Sequence, residues 1–139
     1  MELTEHYARL ERLYHAAACN QSLAPEMRID DGRARVRIAV TPDMLHTMNG
    51  VHGAFYFKAL DDAAFFAANS VVTDVFVLTV SFTVQFLRPV SEGALIAEGR
   101  LVKTGSLLFA DSVLKDTDER QLARGAGVFA RSRHSLPGV

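Results

Sequence analysis

The chain has 139 residues, of which 49% are hydrophobic and 22% are charged, and its formal net charge is −1. This length and composition predict one soluble globular domain, and the near-neutral charge argues against a nucleic-acid-binding protein. The single cysteine, Cys19, excludes an intrachain disulfide, and we expect it to be a small buried side chain. The polar N-terminus shows no signal peptide, so we expect a cytoplasmic protein without a membrane span.

The first half of the chain predicts a helix, a hairpin and a second helix, in that order. Apolar residues recur at helical spacing over residues 4–17. Residues 27–30 and 33–40 flank an Asp-Asp-Gly turn, and apolar and polar residues alternate in the second run, which predicts a β-hairpin with a half-buried strand. Residues 51–69 form a helix candidate that is apolar all around, so we expect other elements to enclose it.

The second half of the chain predicts four strands, which are rich in β-branched and aromatic residues and separated by turn residues. They cover residues 75–87, 94–103, 107–115 and 121–130. The polar residues 131–139 are expected to form a flexible tail. The fold class is therefore α+β, with about five or six antiparallel strands in one sheet wrapped around a long central helix. We expect a single domain over residues 1–139, in which residues 1–20 form a short N-terminal helical segment.

The central helix carries two adjacent carboxylates, Asp61 and Asp62, within an almost wholly apolar stretch. Burying a carboxylate costs free energy unless the group is paired or shifts its pKa, and the second case makes it a poised acid or base. Asp62 follows Lys58 by four residues, so the spacing favours an ion pair. Asp61 points about 100° away from Asp62. It is either a catalytic group or a structural carboxylate that is hydrogen-bonded to loop backbone.

Three features of the sequence resemble a known family. Residues 50–53, Gly-Val-His-Gly, open the central helix; Asp61 follows His52 by nine residues; and an alternating apolar strand over residues 79–89 ends in Arg-Pro. Together they resemble the hotdog fold, in which a sheet wraps a long helix. Within that fold the chain is similar to the phenylacetate-pathway (PaaI-like) thioesterase branch of the 4-hydroxybenzoyl-CoA thioesterase superfamily. The resemblance covers roughly residues 25–131.

The resemblance implies hydrolysis of acyl-CoA thioesters to a free acid and coenzyme A by a homodimer, or by a dimer of dimers. It implies that Asp61 is the catalytic base or nucleophile, that the Gly53 backbone N–H is the oxyanion donor, and that Thr79 holds the water or substrate. The family often has an asparagine six residues before its His-Gly pair. This chain has His46 there and Asn49 three residues later, and both are candidates for the role of that asparagine, which is to position the water.

Further candidate residues lie beside these. His52 is either a base or a structural residue that hydrogen-bonds a loop carbonyl at the start of the helix. The terminal histidines His6, His15 and His134 are expected to be solvated. No metal-ligand spacing is present, so we expect neither a metal nor a cofactor other than the coenzyme A of the substrate. The expected substrate-binding residues are Ala54, Phe57, Phe65, Arg88, Lys103, Gly105 and Ser106.

Two questions stay open at this level. Gly53 and Asp61 are more than two turns apart on one helix, so a single helix cannot bring both to one carbonyl, and a second subunit or element must complete the site. Two alternative functions also stand beside the thioesterase. One is a hotdog hydratase or dehydratase, whose Asn-Pro-x-His type motif is absent; the other is a non-catalytic acyl-CoA binding protein, beside which a DNA-binding module would be expected.

Overall fold

The computed structural model describes residues 2–137. Its helices in this range are α1 (Leu3–Ala16), α2 (Gly53–Asn69) and two short 3₁₀ helices, Ala18–Asn20 and Pro42–Met44. Its strands are β1 (Glu26–Asp30), β2 (Arg33–Ala39), β3 (Val75–Phe86), β4 (Ala94–Thr104), β5 (Leu107–Lys115) and β6 (Gln121–Ser135). Each predicted helix and strand is present, and all ends but that of β6 agree with the prediction to within two residues.

The six strands form one antiparallel sheet in the order β1-β2-β4-β5-β6-β3, so β1 and β3 are its edges. Alternate residues of the strands face α2; in β2 these are the buried Ala34, Val36 and Ile38. The predicted fold class, a sheet of about five or six antiparallel strands around one long helix with a short helix before it, is confirmed with six strands.

The central helix lies in close contact with the sheet. A Cβ atom at Gly99 of β4 would stand 2.1 Å from the Ala63 carbonyl oxygen, so only glycine fits at this position. The helix meets the sheet through a face of small side chains that are fully buried. These are Ala59, Ala63, Ala64, Ala67 and Ala68. Small residues on both sides let the backbones approach, which fixes the depth and rotation of α2.

The prediction that other elements enclose α2 completely is wrong on one side. The stripe formed by Ala54, Phe57 and Asp61 is only partly covered, because Ala54 and Phe57 are exposed, Phe57 to 40%, and Asp61 is partly buried. The open stripe lies beside the edge strand β3, on which Val80 and Phe86 are each 58% exposed. The apolar residues of the helix therefore lie on two surfaces. One packs against the sheet, and the other is open beside the free edge of the sheet.

The N-terminal helix covers the opposite edge of the sheet. The Glu11 carboxylate accepts a hydrogen bond from the Ile29 N–H (2.8 Å), and the His15 Nε2 accepts one from the Met27 N–H (3.0 Å). These contacts satisfy backbone donors of β1 that have no strand partner. His15 is exposed, as expected, but its ring has this structural partner. Among residues 2–137, no helix has both the length and the apolar character that crossing a membrane requires.

The prediction that His6 is solvated is wrong, because this side chain is fully buried where α1 meets the end of α2. Its Nε2 bonds the Asn69 carbonyl oxygen (2.9 Å) and its Nδ1 bonds Arg9 Nη2 (3.0 Å). A carbonyl only accepts and a guanidinium only donates, so Nε2 carries the proton and Nδ1 is the acceptor. Burial is the largest cause that lowers the pKa of His6, and the positive charge of Arg9 adds to it. His134 is exposed, as expected.

The predicted flexible tail also differs from the structure. Strand β6 continues to Ser135, and the buried Leu136 donates its N–H to the Asp74 carbonyl oxygen (3.0 Å). The polar side chains of this segment obscured the strand because pairing with β3 uses the backbone. Part of the prediction falls on Gly138 and Val139, which lie outside the described residues, as does Met1 of the predicted N-terminal segment.

Replacement of His6 by glutamine should change how stability depends on pH. The pKa of His6 is lower in the folded than in the unfolded protein, so its contribution is complete above the unfolded pKa of about 6.5 and is lost as the pH falls below it. Glutamine can donate to Asn69 but does not titrate. We expect a lower Tm for H6Q at pH 8 and a smaller fall in Tm between pH 7.5 and pH 5 than in the wild type. Parallel Tm curves for the two proteins would contradict this account.

Candidate active site

Asp61 and Thr79 face each other across the gap between α2 and β3. The Thr79 hydroxyl donates a hydrogen bond to Asp61 Oδ1 (2.9 Å), although the two residues are 18 positions apart in the chain. Burial raises the pKa of Asp61 to about 6, the Thr79 hydrogen bond and the Lys58 charge oppose this rise, and the Asp62 charge adds to it. A carboxylate with such a pKa is ionised at neutral pH and is still basic enough to take a proton.

Asp61 opens into a cleft of about 370 Å³ between α1, α2 and β3. Its walls are mostly apolar, with several polar groups on the side of Asp61. The lining residues are Leu13, Tyr14, Ala17, Cys19, Asn20, Lys58, Asp61, Asp62, Phe65, Phe66, Phe76 and Thr79. The expectation that Cys19 is buried is wrong, because it is exposed at this cleft. A cleft of this size and lining suits a small organic group.

A larger groove of about 650 Å³ crosses the sheet at β1, β2 and β4, but it has a different character. It is lined by exposed charged side chains such as Arg28, Arg33 and Arg35. We therefore place the candidate active site in the smaller, apolar cleft, where a partly buried carboxylate with a raised pKa is available.

Asp62 has the partner that the sequence predicts and a second one that it does not. The Lys58 Nζ forms an ion pair with Asp62 Oδ2 at 2.9 Å, which confirms the predicted pair. The Tyr14 hydroxyl donates to the same oxygen at 2.7 Å. Burial, with the Asp62 charge and hydrogen bond, raises the pKa of Tyr14, so its hydroxyl keeps the proton that it donates. The helical spacing of α1 indicated Tyr14 as a core residue and gave no sign that its hydroxyl reaches this cleft.

Gly53 is the first residue of α2, eight positions before Asp61. His52 is the N-cap, and its Nδ1 accepts a hydrogen bond from the Ala54 N–H (2.9 Å). This supports the structural interpretation of His52, although the partner is a helix N–H and not a loop carbonyl. Among the described residues, the Gly53 N–H has no acceptor. A free N–H at the positive end of a helix can donate to an oxyanion.

His46 and Asn49 form the turn before this helix end. His46 Nδ1 accepts a hydrogen bond from the Met48 N–H (3.0 Å), and its ring centre lies 6.4 Å from that of His52. Asn49 has a φ of 62° and donates its N–H to the His46 carbonyl (2.9 Å). Both residues therefore have structural partners at the Gly53 end of α2. Neither lines the cleft that contains Asp61.

The predicted site residues thus fall into two groups along α2, which runs antiparallel to β3. The Phe86 ring lies over Gly53, and the Phe57 and Phe82 rings are centred 5.4 Å apart between Gly53 and Asp61. Asp61 lies at the middle of the helix, with Thr79 beside it and Phe65 one turn further on. Gly53, His46, His52, Asn49 and Arg88 lie at the N-terminal end of the helix, with Ala54 and Phe57 on the stripe between the two groups. One chain alone does not bring Asp61 and Gly53 together.

The expected substrate-binding residues outside α2 are also split. Arg88 follows β3 near the start of α2, where its carbonyl accepts a hydrogen bond from the Tyr56 hydroxyl (2.8 Å). Lys103, Gly105 and Ser106 lie exposed at the β4–β5 turn, on the other side of β6 from β3. A second basic residue reaches that turn, because the Arg131 Nη1 donates to the Gly105 carbonyl oxygen (2.6 Å). Sequence reasoning missed Arg131 because it fell in the predicted tail.

The sequence pattern of the thioesterase superfamily matches this chain over residues 48–120, which is more than half of its length. The chain belongs to the thioesterase superfamily. The match includes α2 and β3–β5, and thus Gly53, Asp61 and Thr79. No protein with a curated description matches the sequence.

Solved structures share the fold of this superfamily member. The E. coli PaaI protein from the phenylacetic acid degradation operon has a TM-score of 0.86 at 24% identity, over 95% of this chain and 96% of that chain. A phenylacetic acid degradation-related protein from Ralstonia eutropha has a TM-score of 0.78 at 21% identity, over 89% and 98%. A variant of the PaaI protein from Thermus thermophilus has a TM-score of 0.75 at 19% identity, over 84% and 100%. The hotdog fold expected from the sequence is confirmed.

The raised pKa of Asp61 predicts that this carboxylate lowers the stability of the folded protein at neutral pH. Its folded pKa of about 6 exceeds the ordinary value of 3.8. The stability that this carboxyl group contributes is therefore complete below pH 3.8 and is lost as the pH rises through 6. Replacement by asparagine removes this loss. At pH 8 we expect D61N to have a higher Tm than the wild type and a free energy of unfolding that is larger by about 2 kcal/mol. At pH 4 we expect the two proteins to have similar Tm values. A D61N protein that is less stable at pH 8 would contradict the assigned environment.

Proposed function

We propose that this protein hydrolyses acyl-CoA thioesters to a free acid and coenzyme A, with Asp61 as the group that acts on the thioester. The observation that carries the proposal is the partly buried Asp61 carboxylate, with a pKa of about 6, in a mostly apolar cleft within a thioesterase-superfamily fold. The apolar walls suit the acyl part of such a substrate. The polar edge of the cleft, where Asp61 lies, suits the reacting carbonyl.

Two chemical routes use these groups. In the first, Asp61 takes a proton from a water molecule as that water attacks the thioester carbonyl. In the second, the Asp61 carboxylate attacks the carbonyl itself, and water then hydrolyses the mixed anhydride. In both routes the carbon–sulfur bond breaks, and coenzyme A leaves as a thiolate that takes up a proton. The Thr79 hydroxyl fixes one oxygen of Asp61, and thus the direction in which the other is offered.

A donor for the developing oxyanion is the second requirement, and we assign it to the Gly53 N–H of a second subunit. The contacts along α2 and β3 pair Gly53 with Phe86 and Asp61 with Thr79. If two β3 edges pair antiparallel about a twofold axis near Phe82, Phe86 and Gly53 of one subunit lie near Thr79 and Asp61 of the other. The exposed apolar residues of the β3 edge and the partly covered stripe of α2 support such a homodimer.

The substrate class is tested by measuring thiol release from a panel of acyl-CoA thioesters with short, medium, long and aryl acyl groups. The similar proteins are named for phenylacetic acid degradation, so the panel includes arylacetyl-CoA. We expect turnover of at least one member at micromolar substrate. Binding without turnover across the panel, by folded protein, would indicate the acyl-CoA binding role instead.

Replacement of Asp61 by asparagine keeps the size of the side chain but removes its basicity and nucleophilicity. We expect kcat to fall about 10²- to 10⁴-fold, while the affinity for acyl-CoA, measured by calorimetry, stays within a few fold. Asp118→Asn is the matched control because that carboxylate is 77% exposed in the β5–β6 turn, away from the cleft. Unchanged turnover by D61N would show that Asp61 is not the catalytic group.

Gly53 offers a test in which a single N–H is removed. Proline is tolerated at the first position of a helix, and His52 before it has φ −63° and ψ 139°, the extended conformation that precedes proline readily. We expect G53P to lose about 10²- to 10³-fold in kcat. Gly53→Ala is the control, because its Cβ meets the Phe86 ring at 3.0 Å but its N–H remains. Equal losses in the two variants would indicate crowding and not the lost donor.

Mixed dimers of the same variants test the shared site. A dimer with one D61N and one G53P subunit has one site with both groups intact if each site takes Asp61 from one subunit and Gly53 from the other. Random assembly of equal amounts should therefore recover about a quarter of the wild-type activity. No recovery in verified mixed dimers would place both groups in one subunit.

A further inference from the structure

The second carboxylate, Asp62, has an arrangement that ion pairing alone does not explain. Tyr14 Oη and Lys58 Nζ both bond its Oδ2, at 2.7 Å and 2.9 Å. The Lys58 ammonium also lies 5.7 Å from the centre of the Tyr14 ring. The side chains of Lys58 and Asp62 are only 22% and 16% exposed. The Asp62 carboxylate and the aromatic face of Tyr14 therefore fix this ammonium group at the wall of the cleft that contains Asp61.

Lys58 has a competing partner on the same helix. It precedes Asp61 by three residues and Asp62 by four, and both spacings bring side chains together on a helix. In the structure, the ammonium bonds Asp62, whereas Asp61 Oδ1 accepts from the neutral hydroxyl of Thr79. An ammonium bonded to Asp61 would occupy one of its oxygens and make the carboxylate less basic and less nucleophilic.

We propose that Asp62 is a positioning residue that, together with Tyr14, holds the Lys58 ammonium away from Asp61 and so leaves the Asp61 carboxylate free to react. The consequence for catalysis rests on the proposed role of Asp61. The position of Lys58 does not, because it can be measured without turnover.

The other groups that face Asp61 leave this assignment intact. From α1 the cleft receives Tyr14, which is neutral; from the 3₁₀ turn after α1 it receives Cys19; and from β3 it receives Thr79. Lys58 and Asp62 are thus the charged residues that line the cleft beside Asp61. The positive charge of Lys58 lowers the pKa of Asp61 and the negative charge of Asp62 raises it, with Asp62 the larger of the two.

Loss of Asp62 should therefore lower the pKa of Asp61 in two ways, through the loss of the negative charge of Asp62 and through the transfer of the Lys58 ammonium to Asp61. In Asp62→Asn the ammonium loses its charged partner, and the remaining carboxylate within reach on its own helix face is Asp61. Its transfer to Asp61 should lower the pKa of that group. Removal of Lys58 in the same chain should then reverse the defect, because no ammonium is left to move onto Asp61.

The test compares the wild type with D62N, Lys58→Met and the D62N/K58M double variant. Two quantities are measured for each protein, which are the pKa of Asp61 from the ¹³C signal of its carboxyl group by NMR, and the pH dependence of kcat/KM. For D62N we expect the Asp61 pKa to fall from about 6 towards its ordinary value of 3.8. We expect kcat to fall about 3- to 10-fold as the carboxylate becomes less basic.

The double variant decides between positioning and mere structure. We expect D62N/K58M to regain an Asp61 pKa near 6 and most of the lost kcat, whereas K58M alone should raise the pKa of Asp61. Tyr14→Phe should give a smaller fall in the pKa than D62N, because it removes one of the two bonds to Asp62. The rise in the Asp61 pKa on removal of Lys58 should be larger in the D62N background than in the wild type, and an equal or smaller rise would overturn the proposal.

The two proposals fail separately. Unchanged turnover by D61N would overturn the catalytic role of Asp61, whereas the NMR titration still decides whether Asp62 keeps Lys58 away from it. Loss of rescue in the double variant, with D61N inactive, would overturn the positioning role and leave the catalytic role of Asp61 intact.

Discussion

The contact between α2 and the sheet at Ala63 and Gly99 determines where every group of the site lies. A Cβ atom at Gly99 would stand 2.1 Å from the Ala63 carbonyl oxygen, so the helix can pack at this depth only against glycine. The alanine face of α2 turns towards the sheet as a result. Asp61, about 200° around the helix from Ala63, then points away from the centre of the sheet. The packing of the core thus directs the carboxylate into the cleft beside β3.

The surroundings of Asp61 follow from its place beside the edge strand of the sheet. The edge strand β3 supplies Thr79 as a hydrogen-bond donor, and the cleft walls supply aromatic and aliphatic side chains that partly bury the carboxylate. Burial raises the pKa, while the nearest cation is bonded to Asp62. The same edge leaves apolar residues exposed, and Gly53 lies too far along the helix to act on the same carbonyl. A dimer formed through this edge would both cover the exposed apolar residues and bring Gly53 of one subunit to Asp61 of the other.

Much of this architecture could be predicted from the sequence, because periodicity depends on local rules. Alternation over residues 33–40 predicts a strand and continuous apolarity over 51–69 predicts a packed helix, and both are found. The ion pair between Lys58 and Asp62 follows from helical spacing alone. The family match covers the segment that contains the His-Gly pair and Asp61, so the resemblance on those residues was a sound guide to the superfamily.

The failures concern contacts between distant parts of the chain. His6 is buried because α1 docks on the end of α2, and no pattern within α1 indicates that contact. The hydroxyl of Tyr14 reaches Asp62 across 48 positions, which apolar spacing cannot show. The segment after residue 130 is polar in its side chains but pairs through its backbone, so composition suggested a tail. That error hid Arg131, which bonds the Gly105 carbonyl at the β4–β5 turn.

The most direct test of the central claim is a crystal structure with a non-hydrolysable acyl-CoA analogue. We predict that the acyl group fills the cleft of α1, α2 and β3, with the carbonyl carbon about 3–4 Å from an Asp61 oxygen or from a water that Asp61 binds. The carbonyl oxygen should accept a hydrogen bond from Gly53 N–H of a second subunit. An analogue bound with its carbonyl outside the reach of Asp61 would contradict the account.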